Sequence, residues 1–148
     1  MVGVHRSPKD CRPWKGYEMK FGYTIVYVAS VPDALSFYEK AFGFQVRFLH
    51  DSEQYGELES GATTLAFASL TLGEMNFGSG YVPVSAAAAP PGIELAFVTE
   101  DVSAAYNKAI AAGAVAVHEP ESKPWGQVVA YVRAREGTLV ELCSPIAG

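Results

Sequence analysis

Apolar and polar positions follow two patterns along the chain, and the pair occurs twice in the same order. Tyr23-Thr24-Ile25-Val26-Tyr27-Val28 is a strand-like run. Ala34 to Gly43 follows with helical spacing, so that Leu35, Tyr38 and Phe42 fall on one face. Three more strand-like runs reach residue 70. Ile93 to Val98 restarts the order, and a helix-like stretch from Val102 places Ala105, Ala109 and Ala112 on one face. Further strands run to residue 144. Each helix-like stretch carries an aromatic, a lysine and a closing glycine: Tyr38, Lys40, Gly43 and Tyr106, Lys108, Gly113. A repeated order of elements is the signature of a repeated structural unit. It predicts an α+β fold of two tandem βαβββ modules, forming a curved mixed sheet around a cavity. Helices are expected over 33–42 and 102–112. Asp33 and Asp101 put negative charge at their starts, and Gly43 and Gly113 suit left-handed ends.

Strand alternation assigns the faces, because side chains point to opposite sides with period two. Thr24, Val26 and Val28 oppose Tyr23, Ile25 and Tyr27 in the first strand. Leu65 and Phe67 oppose Thr64, Ala66 and Ala68 in the fourth. Leu95 and Phe97 oppose Glu94 and Ala96 in the fifth. Val140 and Leu142 oppose Leu139, Glu141 and Cys143 in the last. The more apolar face should meet the helices. The other then gathers Tyr23, Tyr27, Ala66, Ala68, Glu94 and Glu141. Small residues make room there, and convergent polar groups in an apolar cleft suit a ligand. Glu57 reads as a surface residue of the third strand.

The boundaries follow from composition. Residues 1–18 are polar, contain Pro8 and Pro13, and are expected to be a flexible leader. Residues 19–148 are expected to form one domain of two modules, 19–70 and 92–146. Residues 71–91, with Gly73, Gly78, Gly80, Pro83, Pro90 and Pro91, read as an irregular linker. Within it, Phe77 and Tyr81 either cap a pocket or tie the loop down. No apolar run reaches the roughly 20 residues that span a bilayer. No apolar signal core precedes the domain, and Cys11 and Cys143 give no disulfide framework. A cytoplasmic location with reduced thiols is expected. The leader holds four of the 11 basic and two of the 16 acidic residues, so the rest is more acidic than the whole chain, which is −5. An acidic domain repels phosphate backbones, so neither nucleic acid nor a membrane is expected as a partner.

Taken together, Val31-Pro32-Asp33-Ala34-Leu35-Ser36-Phe37-Tyr38-Glu39-Lys40-Ala41-Phe42-Gly43-Phe44, Ile93-Glu94-Leu95-Ala96-Phe97-Val98 and the stretches Trp125-Gly126-Gln127 and Gly137-Thr138-Leu139-Val140-Glu141-Leu142 resemble the vicinal oxygen chelate superfamily. That superfamily includes glyoxalase I, extradiol dioxygenases, fosfomycin-resistance transferases and bleomycin-binding proteins. The resemblance covers roughly residues 20–146. It implies a homodimer, with clefts often completed across the interface.

It also implies four positions at which the enzymes hold a divalent metal. In this sequence they are Tyr23, Ala66, Glu94 and Glu141. Ala66 cannot ligate through its side chain and Tyr23 would be an uncommon ligand. Catalytic zinc usually has three protein ligands. No metal cofactor is therefore expected; if a metal is present, Glu94 and Glu141 would hold it. His50 and His118, the latter in a presumed loop, do not complete the set. The resemblance then points to the bleomycin-resistance type. Such a protein sequesters a toxic small molecule, here an apolar and cationic one, in an acidic aromatic cavity. Tyr23, Tyr27, Ala66, Glu94, Trp125 and Glu141 are the candidate ligand-binding residues. The alternatives are a metal-dependent lyase, isomerase or dioxygenase with an atypical metal site, and an interaction module with a vestigial cavity. No catalytic residue is assigned.

Overall fold

The computed structural model of the chain describes residues 19–146. The proposed leader and Cys11 lie outside the described residues. The chain runs β1 (Tyr23–Val28), α1 (Val31–Phe42), β2 (Gln45–Leu49), β3 (Tyr55–Glu59), β4 (Thr64–Ser69), α2 (Leu70–Phe77), β5 (Glu94–Val98), α3 (Val102–Ala111), β6 (Val115–Ser122), β7 (Val128–Arg133) and β8 (Leu139–Cys143). Two four-stranded mixed sheets result, ordered β1-β4-β3-β2 and β5-β8-β7-β6. Their registers match. Parallel β1 and β4 place Tyr23 opposite Thr64 and Ile25 opposite Ala66. Parallel β5 and β8 place Glu94 opposite Leu139 and Ala96 opposite Glu141. Tyr23 and Ala66 in the first module are thus the structural counterparts of Glu94 and Glu141 in the second.

The helices lie where expected, with shifted ends. Helix α1 starts two residues early, at Val31, because Ser30 rather than Asp33 caps it. The Asp33 N–H donates to Ser30 Oγ at 3.3 Å, and Pro32 fits the first turn. Gly43, at φ 79°, closes it with its N–H donating to Glu39 O. Asp101 caps α3 by accepting the Ala104 N–H at 3.0 Å.

Two expectations need correction. The stretch read as an irregular linker begins with α2, whose Ser69 cap accepts the Leu72 N–H at 3.1 Å. Its eight residues contain Gly73, which masks the helical signal. Tertiary packing supplies the reason for that glycine: a Cβ there would overlap the Tyr81 ring and crowd Tyr27. His118 lies in strand β6, not in a loop. Register shifts on both sides of it break the alternation that would have revealed the strand.

The helix-side faces of both sheets meet in one core. Val26, Val28, Leu65, Phe67, Val140 and Leu142 are buried in it with Leu35, Tyr38 and Ala109 of the helices. Leu95 and Phe97 pack against it. Aromatic rings carry the packing across the modules: Phe97 lies 6.4 Å from Tyr38, 5.1 Å from Phe42 and 4.8 Å from Phe44 between centroids. The Tyr38 hydroxyl donates to Glu136 Oε2, between β7 and β8, at 2.8 Å. Among the described residues no helix is long and apolar enough to cross a membrane.

Candidate ligand-binding site

The side of the second sheet away from the helices carries an acidic cluster. Glu94, Ala96 and Val98 of β5 alternate onto this face, and so do Glu141 and Cys143 of β8. The Glu94 and Glu141 carboxyls lie beside each other there. Burial, then the neighbouring Glu141, raise the Glu94 pKa. Tyr131, directly opposite Glu141 on β7, donates its hydroxyl to Glu141 Oε1 at 2.7 Å. That bond, with burial, pushes the Tyr131 phenol up to about 12. Burial and the neighbouring Glu141 push the Cys143 thiol up to about 11, so it is no activated nucleophile. Glu94 also lines a cavity of about 280 Å³ with Thr24, Phe44, Ser60, Thr63 and Leu65 of the first module.

The corresponding face of the first sheet is built differently. Ala66 leaves its strand without a carboxylate, but Glu57 stands directly opposite it on β3. Contrary to the surface reading, Glu57 is only 8% exposed. Tyr55 donates to Glu57 Oε2 at 2.7 Å, repeating the Tyr131–Glu141 pairing. Burial, then Glu57, raise the Tyr55 pKa. Arg47, at the bulge in β2, reaches Glu57 Oε1 and Thr64 Oγ1, each at 3.1 Å. It holds Glu59 with two further bonds of 2.8 and 2.9 Å, which lower the Glu59 pKa.

The candidate residues therefore separate. Glu94 and Glu141 come together on one sheet, and Tyr23 and Ala66 occupy the equivalent places on the other. Tyr27 is enclosed by the rings of Phe77 and Tyr81, at 5.6 and 5.7 Å, and accepts a hydrogen bond from Asn76 at 3.2 Å. Phe77 and Tyr81 thus pack on Tyr27 at one end of the first face. Trp125 lies in the β6–β7 turn, 58% exposed, with its indole N–H donating to Gln127. His50 bonds Ser52, and His118 faces Glu121 at 3.3 Å. Arg47, Tyr55, Glu57 and Tyr131 were missed. Alternation through β3 and β7 would have placed the last three on these faces.

Residues 20–142 match the family described as the Glyoxalase/Bleomycin resistance protein/Dioxygenase superfamily. The chain belongs to this superfamily. A glyoxalase-related enzyme from Fulvimarina pelagi is similar in structure, with TM-score 0.72 and 18% identity over 86% of this chain and 89% of that one. A glyoxalase/bleomycin resistance protein/dioxygenase family enzyme from Burkholderia phytofirmans PsJN gives 0.71 and 18%, over 87% and 100%. A protein of unknown function from Agrobacterium tumefaciens str. C58 gives 0.68 and 25%, over 86% and 95%. No curated protein matches the sequence.

Superfamily members often bind a divalent metal. The four corresponding residues of this chain do not fit one. Ala66 offers no donor, and the Glu94–Glu141 pair supplies two carboxyls. Among the described residues no three His, Cys, Asp or Glu side chains converge on a metal position.

Proposed function

We propose that the chain is a small-molecule-binding member of the superfamily that sequesters an apolar cationic ligand on the acidic face of its second module. The observation that carries this reading is the placement of two carboxyls, Glu94 and Glu141, side by side on one face of the β5–β8 pair. A cation docking there would offset the repulsion between the two carboxyls. Tyr131 keeps Glu141 oriented. Affinity should therefore rise with pH as Glu94, whose pKa is raised, ionises.

We infer in addition that two copies associate, with the tyrosine face of one set against the acidic face of the other. Tyr23, Ile25, Val46 and Phe48 leave apolar surface exposed on the first module, and Val98 does so on the second. Aromatic surface would then cover the cation and exclude water, which strengthens its attraction to ring faces. Light scattering should give twice the 15.8 kDa chain mass.

A second reading follows from Glu141, which occupies the last-strand metal position of the superfamily: a metal-dependent lyase, isomerase or dioxygenase with an atypical site. Calorimetry with cationic aromatic compounds and their neutral isosteres separates the two. Sequestration predicts a preference for cations that falls in Glu94→Gln and Glu141→Gln and persists in the exposed control Glu100→Gln. Equal binding of neutral compounds, unchanged in both variants, would sink it. Near-stoichiometric metal in the purified protein, lost on Glu141→Ala, would establish the second reading instead.

A further inference from the structure

We propose that the cleft between the two modules is a second ligand site, shaped for a flat neutral apolar molecule of one or two rings. This cavity of about 220 Å³ runs along β1, with Ile25, Tyr27, Tyr81, Val84, Ile93 and Leu139 among its walls. None of its lining residues is charged, which sets it apart from the acidic face. An apolar cavity of roughly 150 Å³ stays dry and takes up benzene. One half as large again has room for a second fused ring. An α-helix, at roughly 10 Å across with its side chains, is too wide for it.

The walls are held in place before any ligand arrives. Arg133 donates to the linker carbonyls of Ser85 at 2.9 Å and Ala86 at 3.5 Å, and to Gly137 O at 2.8 Å. The Tyr81 ring is fixed between Tyr27 and Phe77. A preformed site loses little freedom on binding.

The full chain titrated with 2-naphthol, followed by the dye's own fluorescence and by calorimetry, tests the site. Saturable binding is expected. Ile93→Trp at the cavity mouth, where Ile93 is 73% exposed, should weaken it by about tenfold. Glu141→Gln should leave it unchanged. Absence of saturable binding, indifference to Ile93→Trp, or loss of binding in Glu141→Gln would each overturn the proposal. A thermal melt confirms that the Ile93→Trp variant is folded.

Discussion

Glu94 and Glu141 lie on adjacent parallel strands with their carboxyls side by side on one face of the β5–β8 pair, Glu141 being opposite Ala96 and Glu94 two residues before it. Two neighbouring carboxyls repel when both ionise, and this adds to burial in raising the Glu94 pKa.

That repulsion fixes a pH dependence. The Glu94 pKa is raised in the folded state above its ordinary 4.5, first by burial and then by Glu141. The folded chain thus binds the proton more tightly than the unfolded chain. The stabilising contribution is full below about pH 4.5 and is lost as pH rises through the folded-state value. Glu94→Gln, which keeps the shape and removes the charge, should raise the melting temperature at pH 7 by roughly 1–3 °C, allowing for solvent screening. The gain should vanish near pH 4. Melting curves at both values check this, and a destabilised variant at pH 7 would show that the pair attracts rather than repels.

The repeat was legible because both modules carry simple alternation in their first and last strands. Val26 and Val28 face the helices, and so do Val140 and Leu142, as period two requires. The same alternation put Glu94 and Glu141 on one face. It did not say that Tyr23 and Ala66 would form a separate, equivalent face, since the relative placement of two sheets is decided by contacts such as Phe97 with Phe42 and Phe44. Arg47 escaped for another reason. Bulges in β2 and β6 turn side chains off the expected face, and neither bulge has a glycine to announce it.

Arg47 gives a second test. Glu57 is nearly buried and has Arg47 as its charge partner. Arg47→Met keeps much of the stem but leaves the carboxylate facing Thr64 and Tyr55 alone. The variant should lose roughly 1–3 kcal/mol in a denaturant titration. Adding Glu57→Gln should recover part of that loss, because residues in one network do not act additively. Simple additivity would mean that the bond to exposed Glu59 matters more than the one to Glu57.

Tyr38 joins the modules through both its ring and its hydroxyl. Tyr38→Phe removes the donor to Glu136 Oε2, whose other oxygen is already buried without a partner. A loss of roughly 1–3 kcal/mol is expected. Burial, then the charge and hydrogen bond of Glu136, raise the Tyr38 pKa well above its ordinary 10.0. The associated stability is therefore present below pH 10 and declines as the pH climbs beyond it. Alkaline titration of unfolding should show a shallower decline in Tyr38→Phe than in the natural chain, and equal slopes would remove Tyr38 as the cause.

Gly137 shows how the linker is held. It adopts φ +113°, and a Cβ there would meet the backbone of Ser85 at 2.6 and 2.7 Å and of Ala86 at 2.8 Å. Gly61 has a similar φ of +95° with nothing near its absent Cβ. Both alanine variants should carry backbone strain of roughly 1–3 kcal/mol. Only Gly137→Ala should also push the linker off the hairpin, against the Arg133 bonds to Ser85 and Ala86. Limited proteolysis under native conditions distinguishes the two effects. Cleavage between residues 78 and 91 should accelerate in Gly137→Ala and stay near the natural rate in Gly61→Ala, even when their melting temperatures fall equally. Equal acceleration in both would mean that global stability alone governs the linker, and that its contact with Gly137 is incidental.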